Sequence, residues 1–430
     1  MLKRRERRAP VQARRQPVSG CTVWMNSLDH DLELELGELR AQGLHRALRR
    51  IDSPQGPQIV LDGRTLLNFS SNDYLGLATH PALQEAARRA TSDFGAGAGA
   101  SRLLCGSLAP HHELETALAE FKATEAALAF SSGYSAALGT IPALVGKEDV
   151  LILDKLVHAS IVDAARLSGA KLRLFRHNEP ASLERMLKWA GSRKAGTHHA
   201  PRNTRLLIVT ESVFSMDGDL APLREIIELK EQYGAWLMLD EAHATGLFGE
   251  HRRGLAEAQG LSDHVEIQMG TLGKALGAAG GFIAGSRQLI ELIVNGARSF
   301  IFSTAPVPAA AAAATAAILL IQSAEGDALR TRLWQRVDEL KNEIIRAGCS
   351  LPPVQSAILP IHVGDERKAM ELAASLRERG VFIPAIRYPS VARGAARLRV
   401  TVTAAHTSEH IAALGRAFLQ SEIRYLKSDI

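Results

Sequence analysis

Short apolar runs of strand length alternate along the chain with segments whose apolar residues recur at helical spacing. The runs are AALAF, VLILD, KLRLF, RLLIVT, WLMLD, VEIQM and GFIAG, and segments such as HASIVDAARLSG and APLREIIELKEQYG lie between them. Strands that alternate with helices indicate βαβ units and a parallel sheet. The pattern therefore predicts an α/β domain over residues 73–305, with a mainly parallel seven-stranded sheet and helices on both faces.

The flanking segments have different patterns. Residues 28–50 predict an amphipathic helix, and QIVLDGRTLLNFS predicts a hairpin that turns at Asp62-Gly63, so we treat 28–72 as an N-terminal helix and hairpin. After Pro306 and Pro308 a long helical stretch continues through LWQRVDELKNEIIRAG, and shorter strands and helices follow. Residues 306–430 are therefore predicted to form a smaller α+β domain.

Composition indicates an ordinary globular protein. The chain has 430 residues, 46% hydrophobic and 23% charged, and its three cysteines show no metal or disulfide spacing, which favours a reducing, cytoplasmic compartment. No apolar run reaches the roughly 20 residues that cross a bilayer. The paired histidines His198-His199 lie in a polar loop and are interpreted as solvated, so no metal site is predicted.

The net charge of +5 comes largely from the N-terminus, which begins MLKRRERRAPVQARR. Residues 1–27 are interpreted as a disordered basic tail. A nucleic-acid-binding arm and a transit peptide remain the alternatives.

Polar residues follow the ends of the predicted strands, where open α/β sheets bind ligands. The glycine-containing segment SSGYSAALG follows AALAF and favours an anion at a helix N-terminus, although an ordinary βα turn fits it equally well. His158, Ser215, Asp240, His243 and Lys274 follow later strands. Taken alone, a histidine in the position of His158 is more often a helix cap or a core residue than a ligand-binding group.

One ligand explains these residues together. A pyridine ring that carries an aldehyde and a phosphate needs an amine for a Schiff base, a carboxylate at the ring nitrogen, a flat group over the ring and a phosphate cradle. Lys274, Asp240, His158 and Gly133-Tyr134 supply these groups in that order. The sequence therefore predicts a pyridoxal 5'-phosphate site.

Seven motifs make the interpretation more specific: FSSNDYLGL, SGYSAALG, DKLVHASIVDAA, TESVFSMDGDLAPL, LDEAHATGLFG, GTLGKALGAAGGFI and AARLRVTVTAAHT. In this order they resemble the α-oxoamine synthases, pyridoxal-phosphate transferases of fold type I, over about residues 39–420. NFSSNDYLGL and IRYPSVARGAARLRVTVTAAH are most similar to the member that condenses L-alanine with a pimeloyl thioester, on CoA or acyl carrier protein, in biotin biosynthesis. Sister enzymes use glycine or serine with other acyl-CoA substrates.

The resemblance implies a role for each matching residue. Lys274 forms the Schiff base and moves the proton at Cα, Asp240 bonds the ring nitrogen, and His158 stacks on the ring. At the cofactor, the resemblance implies His243 and Ser215 at the phenolic oxygen, and Thr271 with Gly133 and Tyr134 at the phosphate. It also implies a homodimer with shared active sites, in which Ser303 or Thr304 reaches the partner's phosphate. On the substrate side it implies Arg387 at the amino-acid carboxylate, with Arg49, Asn72 and Ser390 as further substrate contacts. Arg49 is expected on the predicted helix, beside the acyl donor.

Two other classes of function remain as alternatives. A cofactor-free scaffold subunit has no need of Lys274, Asp240 and both histidines. A nucleic-acid-binding protein led by its tail is expected to show interleaved basic and aromatic residues, which the sequence lacks, and salt-sensitive binding. Neither nucleic acid nor a membrane is therefore predicted as a partner.

Overall fold

The computed structural model describes residues 27–194 and 204–421. Predictions for residues 1–26 and for His198-His199 lie outside the described residues. The chain divides into two units, residues 1–48 and 49–430. The domain boundaries that the sequence predicts after residues 72 and 305 stay a prediction.

The N-terminal helix α1 is Ser27–Ala41, and the prediction that it extends to residue 50 is wrong. Gly43 adopts a left-handed backbone conformation with φ of 66°, and Leu44 N donates to Leu39 O at 2.8 Å. A left-handed glycine after the last turn is a common helix stop. Helix α1 buries no residue, and Arg49 lies outside it, on no helix.

The predicted hairpin is confirmed as strands β1 (Gln58–Leu61) and β2 (Arg64–Asn68), which pair in antiparallel register. Asp62 and Gly63 both have positive φ, of 51° and 72°, as a two-residue type I′ turn requires. A short strand from the C-terminal part of the chain, Val381–Phe382, pairs in parallel with β2. The hairpin is therefore joined to a segment more than 300 residues later.

The predicted sheet is confirmed within the described residues. Its seven strands are β3 (Ala126–Phe130), β4 (Val150–Asp154), β5 (Lys171–Phe175), β6 (Leu206–Glu211), β7 (Trp236–Asp240), β8 (Ile267–Thr271) and β9 (Gly281–Gly285). Across the sheet they lie in the order β3-β9-β8-β7-β6-β4-β5. Its strand β9 runs antiparallel to both neighbours, and the other pairs are parallel.

Alternate side chains of each central strand enter different cores. Leu151 and Leu153 pack in one apolar cluster, whereas Val150 and Ile152 pack in another on the opposite face. Burial on both faces explains why these strands are continuously apolar. The helices of this region are α2 (Pro81–Phe94), α3 (Ala109–Lys122), α4 (Gly133–Leu144), α5 (Ala159–Ser168), α6 (Pro180–Lys194), α7 (Leu223–Tyr233), α8 (Leu255–Ala258), α9 (Arg287–Gly296) and α10 (Arg298–Ile301), with 3₁₀ turns at Leu77–Thr79 and Ser262–His264.

The long C-terminal helical stretch is two helices, α11 (Pro308–Ile321) and α12 (Ala324–Arg346), with a bend of 79° between them. Ser323 caps α12 by accepting the Gly326 N–H, and this cap explains the break. No single helix in residues 27–194 and 204–421 is long and apolar enough to cross a membrane. Helices α11 and α12 reach that length and apolar composition only when the bent pair is counted as one segment. The remaining elements are β10 (Ile358–Gly364), α13 (Glu366–Glu378), β11 (Val381–Phe382), β12 (Ala385–Ile386), β13 (Ala396–Thr401) and α14 (Ser408–Leu419).

Candidate active site

A cavity of about 160 Å³ lies at the carboxyl ends of the parallel strands. Its position is the one expected for a ligand site in an open α/β sheet. It brings together most of the residues that the strand-end pattern singled out. The lining consists of Gly133, Tyr134, His158, Ser160, Glu211, Ser215, Asp240, Ala242, His243, Met269, Thr271 and Lys274.

Lys274 begins a hydrogen-bonded chain of side chains. Its Nζ lies 2.8 Å from His243 Nε2, and the Tyr74 hydroxyl lies 2.7 Å from His243 Nδ1. Burial lowers the pKa of Lys274 to about 8, although the nearby carboxylate of Asp240 opposes this shift. Burial and the Lys274 cation hold the pKa of His243 well below its usual range. The histidine is therefore neutral near pH 7, and a small fraction of the lysine is already a neutral amine.

Asp240 is the last residue of β7, with an exposed fraction of 5%. Burial raises the pKa of its carboxyl group, and the Lys274 cation counteracts that shift. The carboxyl Oδ1 accepts the Ala242 N–H at 2.9 Å, which fixes its orientation. A carboxylate in this setting favours a cationic group in the cavity.

His158 caps helix α5, and it also lines the cavity. Its Nδ1 accepts the Ser160 N–H at 3.2 Å, and Ser160 Oγ lies 2.8 Å from the same atom. Burial lowers the pKa of His158, so the ring is neutral near pH 7 and its proton lies on Nε2. These contacts fix the plane of a flat, uncharged ring at the cavity.

The N-terminus of helix α4 provides backbone donors at the edge of the cavity. Gly133 is its first residue, and Ser132 caps the helix by accepting the Ser135 N–H. A Cβ built on Gly281 of β9 would lie 2.4 Å from Gly133 N, so glycine is required for this close approach. Tyr134 donates its hydroxyl to Asp163 Oδ2 at 2.6 Å, and Thr271 Oγ1 donates to Gly280 O at 3.0 Å.

Glu211 and Arg399 also contribute to the site, although neither is among the residues predicted from the sequence. Glu211, the last residue of β6, lines the cavity, but in the sequence it is marked only as the end of an apolar strand. Arg399 of β13 donates to Tyr74 Oη at 3.3 Å, to Asn72 Oδ1 at 3.0 Å and to Ser215 O at 2.5 Å. It extends the chain from Lys274 and His243 to a second cation. The quoted motif AARLRVTVTAAHT contains it, but nothing local marks one arginine there above its neighbour.

Other predicted site residues do not line this cavity. Ser303 and Thr304 line a separate small cavity that also contains Ser131. Asn72 Oδ1 accepts from Arg399 at 3.0 Å and from the Tyr74 hydroxyl at 3.4 Å, and so contacts the site through both side chains. Arg49 is exposed, with its guanidinium 5.7 Å from the centre of the Phe382 ring. Arg387 is buried immediately after β12, and Ser390 is exposed in the loop that follows.

A separate cluster of titratable side chains lies outside the cavity. It consists of Asp154, His177 and Asp219, and we call it the acid–histidine cluster. His177 Nδ1 lies 3.0 Å from Asp154 Oδ1, and its Nε2 lies 2.8 Å from Asp219 Oδ2. Although burial opposes protonation, the two carboxylates raise the pKa of His177 to about 10. The described residues contain no group of histidines, cysteines and carboxylates suited to a metal ion.

The donor set fits pyridoxal phosphate. Asp240 offers a buried carboxylate for a pyridinium, and Lys274 offers an amine that is partly neutral near pH 7. The glycines at positions 133 and 281 leave a backbone surface with amide donors for a phosphate. The same set does not resemble a metal or nucleic-acid site.

Comparisons with known proteins agree with this interpretation. A family model described as aminotransferase class I and II matches residues 64–418. The 8-amino-7-oxononanoate synthases of Pelobacter propionicus and Geobacter sulfurreducens are both 48% identical to this chain, covering 88% and 86% of it and 94% and 93% of their own lengths. The chain belongs to the α-oxoamine synthase family. The predicted fold type I architecture and pyridoxal phosphate cofactor are thereby confirmed.

Solved structures of α-oxoamine synthases superpose over most of the chain. Serine palmitoyltransferase from S. paucimobilis has a TM-score of 0.84 at 30% identity, covering 92% of this chain and 98% of its own. The 8-amino-7-oxononanoate synthase from Francisella tularensis has a TM-score of 0.69 at 25% identity, covering 84% and 98%. This α-oxoamine synthase is a pyridoxal-phosphate-dependent acyltransferase.

Proposed function

We propose that this α-oxoamine synthase condenses L-alanine with a pimeloyl thioester to give 8-amino-7-oxononanoate in biotin biosynthesis. A carbon–carbon bond forms between alanine Cα and the thioester carbonyl carbon. The alanine carboxyl group leaves as CO₂, and CoA or acyl carrier protein leaves as the free thiol. Curated relatives named for this product at 44–48% identity support the proposal.

The observation that carries the chemistry is the Lys274 amine, with its pKa of about 8, at the wall of the cavity. Such an amine is able both to form an imine and to accept a proton near neutral pH. Bound pyridoxal phosphate supplies the electron sink that makes the alanine Cα proton acidic. Lys274 then removes that proton, and His243 at 2.8 Å holds Nζ in place.

The neighbouring side chains orient the reaction. Asp240 keeps the ring nitrogen protonated, because its buried carboxylate favours a cation. His158 supplies a neutral flat surface over the ring. Gly133, Tyr134 and Thr271 are proposed at the phosphate, and Ser215 at the phenolic oxygen.

The amino-acid carboxylate needs a fixed cation, because its orientation decides which bond at Cα is broken. The sequence resemblance implies Arg387 for this role. Arg399 is a second candidate, since Tyr74 and His243 connect it to Lys274 through contacts of 3.3, 2.7 and 2.8 Å. Each is therefore to be replaced with lysine separately. The carboxylate-binding arginine is the one whose loss weakens alanine binding, measured by the cofactor spectrum, more than acyl-donor binding.

A second candidate function is the condensation of serine with a longer acyl thioester. The higher TM-score to serine palmitoyltransferase, 0.84 against 0.69, favours it. Sequence identity points the other way, with 48% to the 8-amino-7-oxononanoate synthases against 30% to serine palmitoyltransferase. Because substrate contacts are made by side chains rather than by backbone superposition, we give identity the greater weight.

The deciding experiment is to titrate the purified holoenzyme with alanine, glycine and serine while recording the cofactor spectrum. We expect alanine to change the spectrum at the lowest concentration and pimeloyl-CoA then to yield 8-amino-7-oxononanoate by mass spectrometry. Lys274→Ala should bind pyridoxal phosphate without an imine and lack turnover, with an unchanged circular dichroism spectrum. Preferential binding of serine, with product only from a longer acyl-CoA, would reject the proposal in favour of the second candidate.

We further propose that the enzyme is a homodimer whose sites are shared, with Ser303 or Thr304 reaching the partner's phosphate. Phe302 and Leu104 are 70% and 79% exposed, and a bridge between Ser101 and Thr304 joins their segments. Large apolar side chains exposed together favour a protein interface. An exposed cysteine, Cys105, adjoins this surface and supports a reducing, cytoplasmic compartment.

Sedimentation of Phe302→Glu tests the dimer. We expect a monomer with weakened cofactor binding, because both the interface and the partner's phosphate contact are lost. Leu319→Glu is the matched control, since Leu319 is 64% exposed on α11. A dimer with unchanged cofactor affinity in Phe302→Glu would exclude this surface.

A further inference from the structure

Glu211 is a buried carboxyl group for which the reaction outlined above has no use. It is 3% exposed, ends strand β6 and lines the cavity. Within the described part of the chain, its Oε1 has no hydrogen-bond partner. A buried polar atom without a partner is costly, so its presence at a ligand cavity needs an explanation.

The neighbour of Glu211 is the other buried carboxyl group of the site. Strands β6 and β7 are parallel, and Glu211 pairs in register with Asp240. The two carboxyl groups therefore end adjacent strands at the same edge of the sheet. Two neighbouring carboxyl groups that are both buried from water cannot both carry a negative charge without a large electrostatic cost.

The groups around Glu211 and Asp240 carry too little positive charge to neutralise two carboxylates. Lys274 faces both carboxyl groups, while His158 and His243 are neutral near pH 7. Backbone N–H groups of His158 and Ser215 lie near Glu211 and favour its charged form, but only as weaker contributions. Burial and the Asp240 charge raise the pKa of Glu211 to about 8.

We propose that Glu211 is held as a neutral carboxylic acid beside an ionised Asp240, so that the ring-binding edge presents a single negative charge. The proposal rests on the proposed role of Asp240 at the ring nitrogen. A single charge leaves one counter-ion for one pyridinium. A second carboxylate would favour the charged form of Lys274, which does not form imines.

Glu211 acts in this account as a positioning residue, through its effect on Asp240 and Lys274. Ionisation of Glu211 raises the pKa of Lys274, because a carboxylate stabilises the ammonium. The effect is expected only where Glu211 is ionised, above about pH 8. Replacement by glutamine should therefore matter little below that pH and more above it.

The direct test is infrared difference spectroscopy of the holoenzyme, wild type against Glu211→Gln. We expect the wild type to show a protonated-carboxyl band near neutral pH that disappears at alkaline pH and is missing from Glu211→Gln. Glu113→Gln, at an exposed position of α3, is the matched control and should keep the band. A wild type without such a band, or a Glu211→Gln variant that retains it, overturns the proposal.

Thermal unfolding of the cofactor-free protein gives a second measurement that does not depend on activity. A carboxyl group with a raised pKa binds a proton in the folded state that it loses in the unfolded state, so it destabilises the fold as pH rises from about 5 to 8. The fall in Tm over that interval should be smaller in Glu211→Gln than in wild type and Glu113→Gln. An equal fall in all three proteins contradicts a neutral Glu211.

Cofactor affinity separates this inference from the proposed function. Near pH 6.5, Glu211→Gln should bind pyridoxal phosphate as wild type does, because the amide has the shape and charge of the neutral acid. A loss of cofactor affinity of more than about tenfold at that pH, which has the free energy of one pKa unit, would show that the carboxylate form is needed. Failure of alanine to react would affect the proposed function alone and leave the infrared result intact.

Discussion

The buried ion pair between Lys122 of α3 and Glu241 anchors the turn that carries Asp240 and His243. Lys122 Nζ donates to Glu241 Oε2 at 2.6 Å, and both side chains are 1% exposed or less. Glu241 Oε1 also accepts the Ala256 N–H at 3.0 Å. Because Glu241 follows Asp240 directly, this pair fixes the backbone on which the site depends.

Replacing Lys122 with methionine should therefore damage both stability and cofactor binding. The change leaves Glu241 as a buried charge without its cation, and loss of one member of such a pair costs about 3–5 kcal/mol. That is a large part of a typical unfolding free energy of about 5–15 kcal/mol. We expect a lower urea midpoint and weaker pyridoxal phosphate binding, measured by fluorescence titration of the cofactor-free protein.

The double variant Lys122→Met/Glu241→Gln removes the unpaired charge while keeping an oxygen that can accept the Ala256 N–H. It should recover at least about 2 kcal/mol relative to Lys122→Met, as a coupled pair requires. Lys188→Met removes a lysine from an exposed pair with Glu184 and should leave the unfolding free energy nearly unchanged. If the single and double variants are equally unstable, the charge is not the cause and the reasoning is refuted.

Three further changes test other parts of the molecule. Gly281→Ala places a Cβ 2.4 Å from Gly133 N, so cofactor affinity measured by fluorescence should fall at least about tenfold, whereas Gly146→Ala, with open space around it, should bind normally. Below pH 6.5, His177→Asn should lower the unfolding free energy by about 2 kcal/mol, after allowance for solvent screening. This loss of stability relative to wild type should shrink as pH rises through about 10, because His177 then loses its charge in the folded protein. A loss that does not change with pH would contradict the charged acid–histidine cluster. Arg49→Ala should raise KM for the anionic acyl donor about threefold to tenfold and leave the alanine-induced spectral change intact; the reverse result would place Arg49 on the amino-acid side.

Most of the sheet could be predicted because its signals are local. Strands buried on both faces must be short and continuously apolar, and their helices must show 3.6-residue spacing, so each element is marked within its own residues. The hairpin at Asp62-Gly63 is marked equally locally, since both residues tolerate positive φ. Errors arose at element ends, where Gly43 stops α1 and Ser323 starts α12.

The residues that follow the strand ends could be recognised from local sequence, because parallel strands place their carboxyl ends at one edge of the sheet. Lys274, Asp240, His158 and His243 are residues of this kind, and all four line the cavity. Their chemistry follows from residue type: an amine, a carboxylate and two imidazoles. That set was enough to predict the cofactor.

The distant residues that complete the site could be identified only once the packing of the chain was known. Arg399 comes from a strand 125 positions after Lys274, and its contacts with Tyr74, Asn72 and Ser215 depend on how β13 packs beside the cavity. Glu211 reads as the polar end of an apolar strand until its register with Asp240 is known. Local sequence patterns show neither the contacts of Arg399 nor the pairing of Glu211 with Asp240, because packing brings these distant segments together. Burial and neighbouring charge, which also result from packing, then set the protonation of each side chain.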